Sequence, residues 1–133
     1  MNDPLSNIAQ ACLDGAENNT MTFPQIVETL MQAGFESYMI DYRRSAATYF
    51  LPAGDSVVLP TQQASRPIAA RLDTIAVQSA IKEAQQLVPG YTYADFCGKV
   101  MTAGCAGYIV SFTGRRAVYF GRDAEIHVER FPQ

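Results

Sequence analysis

The one histidine of the chain, His127, sits in a run of acids: Asp123, Glu125 and Glu129 lie two or four residues away. On a strand, where side chains alternate between faces, all four share a side. With Cys97 or Cys105 brought near, His127 could serve a thiol nucleophile while a carboxylate such as Glu125 orients the imidazole. The competing expectation is an ordinary strand histidine and three cysteines, Cys12, Cys97 and Cys105, acting as small buried hydrophobes. Arginine supplies a second chemistry. Arg43–Arg44 and Arg115–Arg116 end strand-like text interleaved with Tyr38, Tyr42, Tyr108 and Phe112. Paired guanidinium groups beside aromatic rings suit a phosphate, a carboxylate or a stacked base. Solvated turn arginines explain the same letters.

Other chemistries are disfavoured. One histidine and three dispersed cysteines, without CxxC or HExxH, give no zinc pattern, and no metal is expected. No GxGxxG or GxxxxGK[ST] is present, so no nucleotide cofactor is expected. The formal net charge is −3. Residues 1–66 carry seven acids against Arg43, Arg44 and Arg66, and residues 67–133 carry six acids against seven bases. That balance lacks the clustered basic face of a nucleic-acid binder, although the asymmetry could draw two halves or two subunits together. No apolar run is long enough to cross a membrane, and the odd cysteine count fits a reducing compartment, so a cytoplasmic location is expected.

The elements that must position these residues read clearly. Asp3–Pro4 opens a short amphipathic helix that Gly15 should end. Thr22 with Gln25 forms a capping box for a helix over 23–33, with Ile26, Val27, Leu30 and Met31 as its apolar stripe. Residues 36–60 change to strand text punctuated by RRS and PAGD, which predicts a three-stranded antiparallel meander. A linker of about 61–72 follows. A helix over 74–88 should bury Ile75, Ala80, Ile81, Ala84, Leu87 and Val88, and Pro89–Gly90 stops it. Thr92 and Asp95 then repeat the cap.

At an offset of seventy residues, Thr22 falls on Thr92, Met31 on Met101, Gly34 on Gly104, Tyr38 on Tyr108, Tyr49–Phe50 on Tyr119–Phe120 and Val58 on Val128. Caps, glycines and aromatics coincide together, which indicates an internal duplication. The expectation is one α+β domain over 1–133 made of two helix-helix-meander units, about 5–60 and about 73–131. Each YF pair should put one aromatic on each face. Whether the strands form one sheet or two stays open.

The closing text AGCAGYIVSFTGRRAVYFGRDAEIHVERFP, from Ala103 to Pro132, together with the order of the elements before it, resembles the DUF1398 family of small bacterial proteins, YdfO-like or YbcV-like, over nearly the whole chain. The resemblance implies an α+β fold and association with prophages, some members being labelled phage envelope proteins. It carries no catalytic residues. The first unit has RRSA where the second has TGRR, so an arginine site would not be symmetric. The reading favoured is a noncatalytic binding or interaction protein that acts through its tyrosine-bearing sheet surface or as a homo-oligomer. Arg115, Arg116, Tyr108, Tyr38, Arg43 and Arg44 are its contact candidates. The alternatives are a small ligand-binding protein or enzyme with a cleft between the units near His127 and Arg115–Arg116, and a phage structural component.

Overall fold

The computed structural model describes residues 3–62 and 66–132. Part of the expected linker, residues 63–65, lies outside the described residues.

Helix α1 spans Pro4–Glu17, with Asp3 as N-cap accepting from the Leu5 amide and Pro4 in the first turn. It runs past Gly15, because there glycine serves packing rather than termination: a Cβ at that position would collide with the Met21 side chain. Helix α2 spans Phe23–Gln32 and has the full reciprocal cap. The Thr22 amide donates to Gln25 Oε1 at 2.8 Å, and the Gln25 amide donates to Thr22 Oγ1 at 3.4 Å. In the second half α3 spans Thr74–Gln86 and α4 spans Tyr93–Thr102, capped by Asp73 and Thr92. Gly34 and Gly104 follow α2 and α4 with φ of 101° and 95°, the left-handed region that glycine enters without steric cost.

Two strand meanders complete the halves: β1 Ser37–Asp41, β2 Ala46–Phe50 and β3 Ser56–Pro60, then β4 Cys105–Ser111, β5 Arg116–Gly121 and β6 Ile126–Arg130. All six join one antiparallel sheet in the order β3-β2-β1-β4-β5-β6. Ser37 pairs with Ser111, Met39 with Ile109 and Asp41 with Gly107 across the central β1–β4 junction. Met39 and Ile109 correspond at the seventy-residue offset, so a pseudo-twofold axis passes through their pair, normal to the sheet. Turn geometry follows the same relation. Ser45 and Arg115 have φ of 50° and 52°, and the Thr61 amide reaches the Ser45 carbonyl as the Phe131 amide reaches that of Arg115, both at 2.9 Å.

One face of the sheet lies under the helices and carries the core. Tyr38, Ile40, Tyr42, Ala47, Tyr49, Tyr108, Val110, Phe112, Ala117 and Tyr119 are buried there with Leu30, Val77, Phe96 and Val100 from the helices. The tyrosine rings run side by side across four strands. Centroids of Tyr49 and Tyr38 are 5.6 Å apart, those of Tyr38 and Tyr108 are 6.4 Å, and those of Tyr108 and Tyr119 are 5.0 Å. Their neighbours Phe50 and Phe120 fall on the other face, half-buried, as the alternation requires.

Three expectations about helix faces change. Ile75 and Leu87 are exposed, the first because it enters in the opening turn of α3 away from the sheet and the second because it is the left-handed C-cap residue. Met31 also points to solvent, so the stripe of α2 is carried by Ile26, Val27 and Leu30.

Burial of so many phenols has a consequence at alkaline pH. Desolvation holds Tyr38, Tyr42, Tyr93 and Tyr108 well above the usual tyrosine pKa and pushes Tyr91 up to about 12 and the Cys105 thiol up to about 12. The folded state therefore keeps protons that the unfolded chain gives up. Stability from these groups is complete below the unfolded cysteine and tyrosine range and is lost as pH rises toward the folded values. Thermal unfolding followed by circular dichroism should hold steady from pH 6 to 8 and then fall steeply above about pH 9. Tyrosinate absorbance should appear together with loss of structure, whereas a gradual titration in the intact fold would contradict this core.

Candidate functional site

The acid and histidine text of β6 is split by the turn before it. The strand begins only at Ile126, so Asp123 and Glu125 belong to the β5–β6 connection, where Ala124 takes a left-handed φ of 64°. Asp123 accepts from the amides of Leu72 at 3.2 Å and Glu125 at 3.1 Å, and these bonds hold its carboxyl below the usual range. Glu125 is exposed and accepts from the Ile126 amide. The expected row of four groups on one face is thus reduced to two. His127 Nε2 lies 3.2 Å from Glu129 Oε1, and Gln85 of α3 approaches Glu129 Oε2 at 3.4 Å. The imidazole is half-buried against the ring of Tyr119.

The cysteines face inward. Cys97 is buried on α4 beside the Tyr42 hydroxyl, and Cys105 is fully buried with its Sγ 3.2 Å from the Gly107 carbonyl. A thiol with a pKa of about 12 is ionised to the extent of roughly 10⁻⁴ at pH 8, the opposite of an activated nucleophile. The environment around Cys105 protects it rather than poising it for attack.

The arginine pairs are not brought together. Antiparallel register puts the β1–β2 turn, with Arg43 and Arg44, at the Asp41 end of the sheet. The β4–β5 turn, with Arg115, lies at the Ser37 end, roughly 17 Å away along a five-residue strand. Arg115 stacks its guanidinium 5.7 Å from the Phe131 ring and reaches the Pro132 carbonyl, while Arg116 Nε donates to the Gly114 carbonyl at 3.1 Å. Arg43 and Arg44 are exposed, their amides fixed by Asp41 Oδ1. Tyr38 and Tyr108 are 6% and 5% exposed, so they act in the core and not as surface contacts. Tyr108 spends its hydroxyl on Tyr93 at 2.7 Å.

Two features escaped the sequence reading. Arg130 pairs directly with Arg116 across β5–β6 on the face away from the helices, and neither is in an ion pair among the described residues. The alternation of Ile126, Val128 and Arg130 signals the face on which Arg130 lies, and only the strand register sets it opposite Arg116. The second is a concavity of about 450 Å³ between α3 and α4, lined by Arg66, Ser79, Glu83, Asp95 and Lys99. It lies within the second half rather than between the halves, and it is lined by neither His127 nor Arg115 nor Arg116. Gly98 lets the Arg66 guanidinium lie close over α4, its carbon 3.0 Å from where a Cβ would stand. Its ionic groups are partly spent on each other, with Lys99 Nζ 2.7 Å from Glu83 Oε1. No group of three or more His, Cys, Asp and Glu able to hold a metal ion is found among the described residues.

The family model described as a protein of unknown function, DUF1398, matches residues 11–130. The chain belongs to the DUF1398 family. No curated protein matches it. Among the described residues of this family member, no helix is long and apolar enough to cross a membrane.

Thiol chemistry separates a buried DUF1398 cysteine core from a Cys/His site. An aromatic disulfide reagent at pH 8 should leave Cys12 and Cys105 unmodified in the native protein and react with all three cysteines after unfolding. Replacing His127 by Gln should leave that rate unchanged. A fast native thiol that slows on this substitution would restore the nucleophilic reading.

Proposed function

We propose that this protein is a noncatalytic binding module whose working surface is the sheet face left open by the helices. One observation carries the reading. A row of side chains crosses all six strands in register on that face: Val58, Thr48, Met39, Ile109, Val118 and Val128. Phe50 and Phe120 flank it on opposite sides, and Ile126 extends it at one corner. Val58 is 62% exposed, Ile126 51% and Val128 39%. Apolar surface of this extent on a folded domain marks a contact site more often than an idle one. A broad sheet face suits a macromolecular partner better than a small ligand, which takes a concave pocket.

Binding without chemistry is supported by the site residues themselves. His127 is taken up by Glu129 and Tyr119, Asp123 by backbone amides, and the Cys105 thiol by the core. The roles expected for Arg115 and Arg116 transfer to the rim of this face, where Arg116 and Arg130 stand side by side. A cytoplasmic setting accords with cysteines that form no disulfide. The prophage association of YdfO-like and YbcV-like proteins rests on the resemblance, and an open sheet would serve a phage subunit contact equally well.

Immobilised wild-type protein and a Val58→Glu/Val128→Glu variant, both verified as folded by circular dichroism, should retain different sets of proteins from the native host lysate. Loss of the specific set on the variant supports the face as the working surface. Identical sets on both baits, the native host's own copy of this chain included, would remove it.

A further inference from the structure

We infer that the open face is covered by a second copy of this chain, the two sheets packed face to face about a twofold axis parallel to the strands. This rests on the reading of that face as the working surface and names its occupant.

The argument is the distribution of charge at the ends of the sheet. Glu36 and Asp55, both exposed, precede β1 and β3 at one end of the first half. At the same end the second half carries Arg115, Arg116 and Arg130. At the opposite end the signs reverse. The first half presents Arg43 and Arg44, and the second presents Asp123 and Glu125 in the β5–β6 turn, whose Arg122 is tied to the Ile68 carbonyl. Asp41 beside Arg43 and Arg44, and Arg122 beside Asp123 and Glu125, each lower the charge of their own corner without reversing its sign. Acid and base therefore alternate around the four corners of the sheet. The internal pseudo-twofold, normal to the sheet, maps acid onto acid and base onto base. A twofold lying in the sheet maps each acidic corner onto a basic one, which is the complementarity that steers association.

Of the two axes in the plane, the one parallel to the strands fits better. It lays β3 over β6, β2 over β5 and β1 over β4 of the second copy. Arg130 then meets Ser56 and Asp55, Arg116 meets the Phe50 ring, Val128 meets Val58, and Met39 meets Ile109. The axis across the strands would instead set Arg130 on Ile126. The two cross-strand arginines repel each other in the monomer, and the parallel axis gives each a partner. Sheets with aligned strands pack about 10 Å apart in this way.

Size sets the expected strength. Six strands about 4.8 Å apart and five residues long at about 3.4 Å each cover roughly 490 Å² per copy. About 1,000 Å² in total is the lower end for a specific interface, so a reversible micromolar dimer is expected.

Sedimentation equilibrium of the wild-type chain, 14.6 kDa as a monomer, should show the mass rising toward twice that value between low micromolar and millimolar concentration. Asp55→Lys and Arg130→Glu should each weaken the dimer by about tenfold, since both twofold-related contacts turn repulsive. An equimolar mixture of these two variants should recover wild-type association, because the mixed dimer sets the two introduced charges, of opposite sign, against each other and keeps one native contact of Asp55 with Arg130. Val58→Glu should abolish it, with circular dichroism showing all variants folded. A wild-type monomer at millimolar concentration, or association that none of the variants changes, overturns the inference. If the wild type is monomeric while the two baits still differ, the face binds a different partner. If the baits also agree, the proposed function fails with it.

Discussion

The junction of β1 with β4 is the constraint on which the rest of this molecule depends. Each half alone is a three-stranded meander with two helices, too small to remove much apolar surface from water. Pairing Met39 with Ile109 joins the meanders into one sheet. It also aligns Tyr38 and Tyr108 diagonally across the seam, so that rings from both halves meet in one shared core, where Tyr108 bonds Tyr93 of α4. The junction is tight on its other side too. Gly107 pairs with Asp41 where any side chain would press on the Ile40 carbonyl and the Phe120 ring.

The same junction also sets where the two arginine pairs stand. An antiparallel seam between two like units places equivalent turns at opposite ends of the sheet. The arginine pairs are separated for that reason, whatever their sequence resemblance. The second half is moreover the more elaborated one. Segment 66–73 lies against it through the Asp73 amide on the Ala103 carbonyl, the Leu72 amide on Asp123 and Arg122 on the Ile68 carbonyl. Gly104 permits this approach, since a Cβ there would strike the Arg71 carbonyl. The polar groups of the Asp123 turn are thereby committed to fastening the connection between the halves.

How much of this was legible in the sequence depends on how locally each feature is determined. Caps at Asp3, Thr22 and Thr92, the left-handed glycines and the meanders are set by neighbouring residues, and they are found as read. The α+β class and the paired units followed from the seventy-residue offset. The face of the sheet that would be covered was not legible. Both faces of β1 and β2 carry apolar and aromatic side chains, Tyr38 and Tyr49 on one, Met39 and Phe50 on the other. Hydroxyl groups made the tyrosines look like surface. In fact their rings fill the core, and the equivalent Tyr108 of the second half bonds its hydroxyl to that of Tyr93 on α4. For the site, shared parity failed at Asp123 and Glu125 because a turn intervenes before Ile126, and the Arg116–Arg130 pairing needed the register.

The two outer strands give this geometry a further meaning. β3 ends in Pro60, which offers no amide to a neighbour, and β6 ends one residue before Phe131 and Pro132. Addition of β3 from one molecule to β6 of another would join unlike edges and could continue without limit, the route to fibres. Packing through the face joins like surfaces and is complete at two. Proline at the end of β3 thus acts on the kind of assembly available to the chain, discouraging the open polymer while leaving the closed pair unhindered.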